Sequence, residues 1–270
     1  MRALITGAAT GGIGGAICVR LARDALSQGA PARIVACATG TNPASTALAA
    51  ELRSMGANVL ALSGDLADPA APARLVSDAQ QFCGGLDALV SNAGIAIPAL
   101  LTELPLEGWD RIISVHTRAA WLLAKAAYPA LREARGAMVA IGSINGSFPH
   151  VGHGAYAAAK AALTSLCQTL AMEWASDGIR VSVVSPGLIR TQMNAATYRD
   201  PVLAAERDAM IPLGRSGSVD DVAGVVAFLL GSDARFITGE DIFVDGGFAR
   251  SSLNRMARRT GNAFVSTPIS

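Results

Sequence analysis

Seven short apolar runs, at 3–6, 33–37, 59–63, 88–91, 138–141, 180–184 and 241–244, alternate with longer segments of helical character near 15–28, 44–55, 70–82, 106–133, 155–176 and 219–230. This alternation constrains the chain more than any other feature. The runs mostly lack a polar–apolar alternation, which is the pattern of parallel strands covered on both faces. Parallel strands need long crossovers, helices supply them, and right-handed crossovers leave few topologies. The expectation is an α/β fold with a doubly wound parallel sheet. Local signals support the helix starts. Asn42-Pro43 reads as an N-cap with proline at the first helical position, and Ser218 with Asp221 is close to a capping box.

The bulk numbers exclude several classes. In 270 residues, 51% are hydrophobic and 16% charged, which suits a large core and not a disordered chain. With 22 Lys and Arg against 21 Asp and Glu, no nucleic-acid partner is expected. Cys18, Cys37, Cys83 and Cys167 are scattered in apolar stretches and form no Cys-x-x-Cys pair. They read as small buried hydrophobes, not as metal ligands. The first strand-like run opens at Arg2 and no apolar run reaches spanning length, so neither a signal peptide nor a membrane association is expected, and the cytoplasm is the expected setting. No repeat or linker interrupts residues 1–248, which are expected to form a single domain. The tail at 249–270 carries Arg250, Arg255, Arg258 and Arg259 without an acidic residue. It is expected either to be disordered or to pack on a neighbouring subunit.

Two clusters carry chemistry. Thr6-Gly7-Ala8-Ala9-Thr10-Gly11-Gly12-Ile13-Gly14 leaves the first strand and opens the first helix. Glycines there let backbone approach a pyrophosphate, and a helix N-terminus offers free N–H groups and a favourable dipole. Tyr156 and Lys160 stand four apart at the start of a helical run and so share a face. An ammonium beside a phenol is expected to lower the phenol's pKa toward useful acid/base chemistry. Ser143, just past a strand, is placed to hydrogen-bond a substrate oxygen near Tyr156.

With these residues in order, the chain resembles the short-chain dehydrogenase/reductase family from residue 2 to about 248. The motifs that carry the likeness are the turn at 6–14, Asp65 followed by Leu66, Asn92-Ala93-Gly94, Ser143, Tyr156 with Lys160, Pro186-Gly187, Thr191, and the closing Val244-Asp245-Gly246-Gly247. The resemblance implies a single Rossmann-type domain with a seven-stranded parallel sheet and a nucleotide at the strands' C-terminal edge. It implies Tyr156 as acid/base, Ser143 as polariser of the carbonyl, and Lys160 as the residue that contacts the nicotinamide ribose and tunes Tyr156. Gly7, Thr10, Gly12, Ile13 and Gly14 would line the phosphate path. Asp65 with Leu66 would approach the adenine, and Asn92 with Ala93 and Gly94 would support the central strands and the cofactor. Beyond Pro186 and Gly187, Ile189 and Thr191 would meet the carboxamide or a phosphate.

Two positions depart from the family pattern. One extra residue separates Gly7 from Gly12-Ile13-Gly14, which unsettles the contacts of Thr10 and Gly11. His116 stands where the family usually has an asparagine that completes a catalytic tetrad; it is carried here as a participant in the proton relay.

The cofactor is NADP by preference, or NAD. No carboxylate follows Cys37 to repel a 2′-phosphate, and Thr39, Thr41 and Asn42 could donate to one. The substrate is a small-molecule ketone or secondary alcohol, and a 3-oxoacyl thioester is a candidate. The pocket wall is expected from 95–98, 144–153 and 188–212, the last as a lid in which no charged cluster defines a substrate handle. His150 and His153 read as surface loop residues. The resemblance implies that the helical segments 106–133 and 155–176 pair across a two-fold axis in a homodimer or homotetramer. The alternative is a catalytically silent dinucleotide-binding regulatory or scaffold protein.

Overall fold

The computed structural model describes residues 1–40 and 43–251. Thr41, Asn42 and the tail from 252 onward lie outside the described residues, and with them the capping and phosphate-donor readings of Thr41 and Asn42 and most of the expected tail.

All seven apolar runs are strands: β1 (Arg2–Thr6), β2 (Arg33–Ala38), β3 (Asn58–Ser63), β4 (Ala88–Ser91), β5 (Ala137–Ile141), β6 (Arg180–Pro186) and β7 (Asp241–Val244). They form one parallel sheet in the order β3-β2-β1-β4-β5-β6-β7. The helices are α1 (Ile13–Ser27), α2 (Pro43–Ser54), α3 (Ala71–Cys83), α4 (Leu106–Ile113), α5 (Ala119–Ala134), α6 (Gly154–Trp174), α7 (Ala195–Arg199), α8 (Pro201–Ala209) and α9 (Val219–Leu230). Side chains alternate across each strand. Ile5, Ile34 and Val90 meet Ile17 of α1, Leu48 of α2 and Val226 of α9 on one face. Leu4, Val35 and Leu89 meet Leu75 of α3, Leu123 of α5 and Leu163 of α6 on the other. Each such burial contributes roughly 1.5–3 kcal/mol, so a sheet covered on both faces can offset the ordering of its backbone. The four cysteines are free and buried, as expected. Among the described residues no helix is long and apolar enough to cross a membrane.

The strand order reverses between β1 and β4, which opens a crevice outside their C-terminal ends. The two loops there are tied together. Thr6 Oγ1 accepts from the N–H groups of Asn92 and Ala93, and Asn92 Nδ2 donates to the carbonyls of Thr6 (2.8 Å) and Gly7 (3.0 Å).

Three local outcomes bear on the sequence reading. Ser218 and Asp221 form a full capping box at α9, and α2 begins at Pro43. The segment 188–212 contains α7 and α8, which the sequence did not resolve. The helix expected in one piece over 106–133 is broken: α4 and α5 are joined by a π turn over Ser114–Arg118, in which Ala119 N–H donates to Ser114 O. Thr117 Oγ1 donates to Ala159 O of α6 at 3.0 Å, which anchors the π turn against that helix. Such turns concentrate at functional sites.

Candidate active site

The first half of the site forms where β5 ends. A Cβ on Gly142 would fall on Ser185 Oγ and 2.7 Å from Val183 Cγ1, so a residue without a side chain lets the chain leave β5 this close to β6. Ser143 then caps a 3-10 turn over Ile144–Gly146, its Oγ accepting from Asn145 N–H at 3.2 Å. Gly146 lies so near α6 that a Cβ would stand 3.1 Å from Ala161 N. Ser143 is thereby brought to Tyr156, near enough for its hydroxyl to favour the phenolate.

Lys160 is only 3% exposed, and its Nζ donates to Ile141 O at 2.6 Å while lying 5.6 Å from the centre of the Tyr156 ring. Burial pulls the Lys160 ammonium down to about 7. Burial also pushes the Tyr156 phenol above its ordinary value, with the Ser143 hydroxyl opposing it. The expectation that Lys160 lowers the tyrosine pKa is therefore corrected. The lysine is itself desolvated and directed at a backbone carbonyl, so desolvation decides the phenol's affinity for its proton. At neutral pH Tyr156 is a protonated phenol, which is to say a proton donor.

His116, turned inward by the π turn, is 2% exposed and meets Tyr156 edge-on, ring centres 5.2 Å apart at 89°. Its Nε2 stands 3.1 Å from Ile95 N and 2.8 Å from Ile95 O. Either neutral tautomer is thus held by Ile95: one donates to the carbonyl, the other accepts from the N–H. Burial, and then the nearby Lys160, hold the imidazole down to about 3, so it is uncharged. Its Nδ1 is buried with no hydrogen-bond partner. Gly94 provides the room, since a Cβ there would fall 2.5 Å from His116 Cε1. His153 also belongs to this neighbourhood. Its ring lies 6.5 Å from that of Tyr156 and 4.4 Å from that of His150, and it is half-buried. The surface-loop reading therefore suits His150, which is exposed, and not His153.

The remaining sequence-predicted residues line the same edge of the sheet. Gly7 has φ +65°, and a Cβ on it would fall 2.7 Å from Ala93 Cα. Gly12 is the N-cap of α1 and brings no side chain to cap it, so Ile13 and Gly14 open the helix with uncapped N–H groups. The lengthened turn has partners of its own. Thr10 Oγ1 donates to Ala44 O of α2 at 3.1 Å, and Gly11 O accepts from Gln192 N–H at 3.0 Å. Thr39 is exposed directly beyond β2. Asp65 is exposed before the buried Leu66; the Ala67 N–H, then Arg111 at 3.3 Å, hold its carboxyl below the usual range. Pro186 ends β6, and Gly187 packs on Asp245, where a Cβ would fall 2.6 Å from Asp245 Cβ. Ile189 is buried, its carbonyl accepting from Asn194 Nδ2, and Thr191 completes a capping box with Asn194.

A cavity of about 450 Å³ opens beside Ser143. Its walls come from 144–153 and 188–212 as expected, but also from Phe248 and Ala249, and the expected segment 95–98 does not line it. Sequence reasoning missed the last two because they follow β7, far along the chain from the lid.

A family model described as enoyl-(acyl carrier protein) reductase matches residues 7–249. The chain is similar to the 3-oxoacyl-(acyl-carrier-protein) reductase FabG of Escherichia coli strain K12, 38% identical over 246 residues that cover 91% of this chain and 96% of that protein. It is similar in structure to a blue fluorescent protein from a metagenomic library in complex with NADPH, with a TM-score of 0.82, 37% identity, and coverage of 92% of this chain and 97% of that one. A short chain dehydrogenase from Burkholderia cenocepacia J2315 in complex with NADP gives a TM-score of 0.82 at 36% identity, with the same coverage. Fold, site and likeness together define an NAD(P)-dependent oxidoreductase with a doubly wound sheet. The chain belongs to the short-chain dehydrogenase/reductase family.

Proposed function

We propose that the chain interconverts a ketone and a secondary alcohol, with Tyr156 as proton-transferring acid/base, Ser143 as hydrogen-bond partner of the substrate oxygen, and NADP(H) as preferred cofactor. A 3-oxoacyl thioester is the leading substrate candidate, supported by the likeness to FabG. The observation that carries the reading is the meeting of Ser143, which lines the cavity, with a protonated Tyr156. Two hydroxyls converge there on the position a carbonyl oxygen would take.

The residues fit a dinucleotide. Gly7, Gly12, Ile13 and Gly14 present the uncapped start of α1, which suits a pyrophosphate. Thr10, committed to Ala44, positions the turn. Thr39 and Asp65 with Leu66 suit the adenosine end, and Pro186, Gly187, Ile189 and Thr191 suit the nicotinamide end. Asn92, Ala93 and Gly94 hold the strand ends between them. The absence of a carboxylate after Cys37, and the NADPH and NADP in the similar structures, favour NADP.

When bound, a nicotinamide supplies or takes the hydride. In reduction, the Tyr156 O–H gives its proton to the substrate oxygen while Ser143 hydrogen-bonds the charge that develops on that oxygen. Lys160 lies close enough to stabilise the phenolate that remains. In oxidation the proton returns to Tyr156. His116 is an uncharged positioning residue for Tyr156 and for the loop at Ile95. Trp121 of α5 (45% exposed) and Met172 of α6 (65% exposed) lie on the helices expected to pair, which supports a homodimer or homotetramer. The silent-protein alternative draws on His116, and the assembled Ser143, Tyr156 and Lys160 oppose it.

The test is a panel of ketones and secondary alcohols assayed with NADPH and with NADH. Turnover of at least one pair, faster with NADPH, is expected. A nucleotide fluorescence change with no turnover of any member would favour the silent alternative.

A further inference from the structure

The cavity beside Ser143 has unlike walls. Ser143 lines it together with apolar side chains such as Ile144, Phe148 and Leu188. Arg207 of α8 is the one Lys, Arg, Asp or Glu among the lining residues. A cavity of about 450 Å³ is within the range of small-ligand sites.

What distinguishes Arg207 is its lack of a carboxylate. Among the described residues its side chain takes part in no ion pair and no hydrogen bond; its guanidinium lies over the Tyr198 ring at 5.3 Å. Arg190 lies over the same ring at 4.9 Å, but Asp208 neutralises it at 2.7 Å. Asp208 is engaged elsewhere: besides Arg190 it accepts from the N–H and the Oγ–H of Ser216, both at 2.6 Å, and it makes no ion pair with its chain neighbour Arg207. The Tyr198 ring holds the Arg207 guanidinium by a cation–π contact, which leaves its N–H donors without an acceptor among the described residues. Those donors form a planar fork matched to a carboxylate. A half-buried cation in an otherwise uncharged cavity favours a ligand that brings the missing negative charge.

We infer that the substrate is an anionic carbonyl compound, an oxo acid or the matching hydroxy acid. Its reacting oxygen lies at Ser143, its body against the apolar walls, and its carboxylate on Arg207. The inference rests on the oxidoreductase reading above and puts a free oxo acid in place of the 3-oxoacyl thioester as substrate class.

The experiment measures kcat/KM with NADPH for wild type, Arg207→Met and Arg207→Lys on two matched pairs: 3-oxobutanoate and 4-oxopentanoate, each against its methyl ester. Wild type is expected to prefer at least one acid over its ester by about 10- to 100-fold, the range of a hydrogen bond to a charged group. In Arg207→Met that ratio falls to within roughly threefold of one, and Arg207→Lys, a point charge without the fork, lies between. Because the ratio is taken within each protein, it does not depend on how much of a variant folds. Esters used as well as acids, a Met variant that keeps the preference, or turnover of neutral panel ketones but of neither acid would overturn the inference and leave the oxidoreductase reading standing. No turnover of any carbonyl compound would overturn that reading itself.

Discussion

The two ends of the crevice at the strands' C-terminal edge are built on opposite terms. At the catalytic end Lys160 and His116 are 3% and 2% exposed, and each is held by a backbone group, Ile141 O and the Ile95 peptide. At the other end, where the phosphates and adenosine are proposed to lie, Thr10, Thr39 and Asp65 are exposed. Desolvation therefore sets proton affinities at the first end: Lys160 goes down to about 7, His116 to about 3, and Tyr156 goes up. At the second, Asp65 is moved mainly by one backbone hydrogen bond. On the proposed reading, proton chemistry would depend on groups that water cannot screen, and cofactor choice on exposed side chains that can be exchanged without disturbing the core.

The largest effect is expected at the buried end. Lys160→Met should lower turnover by about 10²- to 10⁴-fold. It should also change how stability responds to pH. Burial holds the ammonium down to about 7, against an ordinary value of 10.5. Between those values the unfolded chain holds the proton and the folded one has released it, so wild-type stability rises with pH across that window. Below it the folded state bears the cost of a buried charge. The melting temperature of Lys160→Met relative to wild type should thus be highest near pH 6 and should decline toward pH 9. A difference independent of pH would mean that Lys160 is not desolvated as described.

At the exposed end, Thr39→Asp should leave stability within about 0.5 kcal/mol, as a surface change does. The ratio of NADPH to NADH affinity should nevertheless drop roughly tenfold, because the carboxylate repels a 2′-phosphate and accepts from a ribose hydroxyl. Fluorescence titration of both nucleotides at matched ionic strength checks this, and an unchanged ratio would place the 2′ position elsewhere.

The smallest effect is expected at His116. An imidazole held down to about 3 stays neutral and does not change protonation state between pH 5 and 9. His116→Asn should keep kcat/KM within a few-fold and leave the shape of the pH–rate profile unaltered. Loss of an inflection between pH 6 and 7 would show instead that the imidazole relays protons.

The contrast between the two ends also explains what could be read from the sequence. The strands were legible because each is a short apolar run, and the caps because Pro43, Ser218 and Asp221 act over three or four residues. The glycine turn and the Tyr156–Lys160 pair are equally local. The π turn left no periodicity signal, because it is tied down by Thr117 reaching Ala159 on another helix. The extra residue of the glycine turn looked like a defect until Gln192, distant in sequence, supplied an N–H for the Gly11 carbonyl. The raised pKa of Tyr156 could not be foreseen from a neighbouring lysine, since burial of both groups reverses the expected sign. The unpaired side chain of Arg207 was equally hidden: its neighbour Asp208 is engaged by Arg190 and Ser216.

The central claim is that Tyr156 supplies the proton in a carbonyl reduction. Its most direct test compares turnover with nucleotide binding in Tyr156→Phe, which removes one hydroxyl from a ring that keeps its packing against His116. With a ketone that wild type reduces, the variant is predicted to lose about 10³-fold or more in kcat while its NADPH dissociation constant stays within a few-fold. A variant that binds NADPH normally and still reduces the ketone at near wild-type rate would contradict the account.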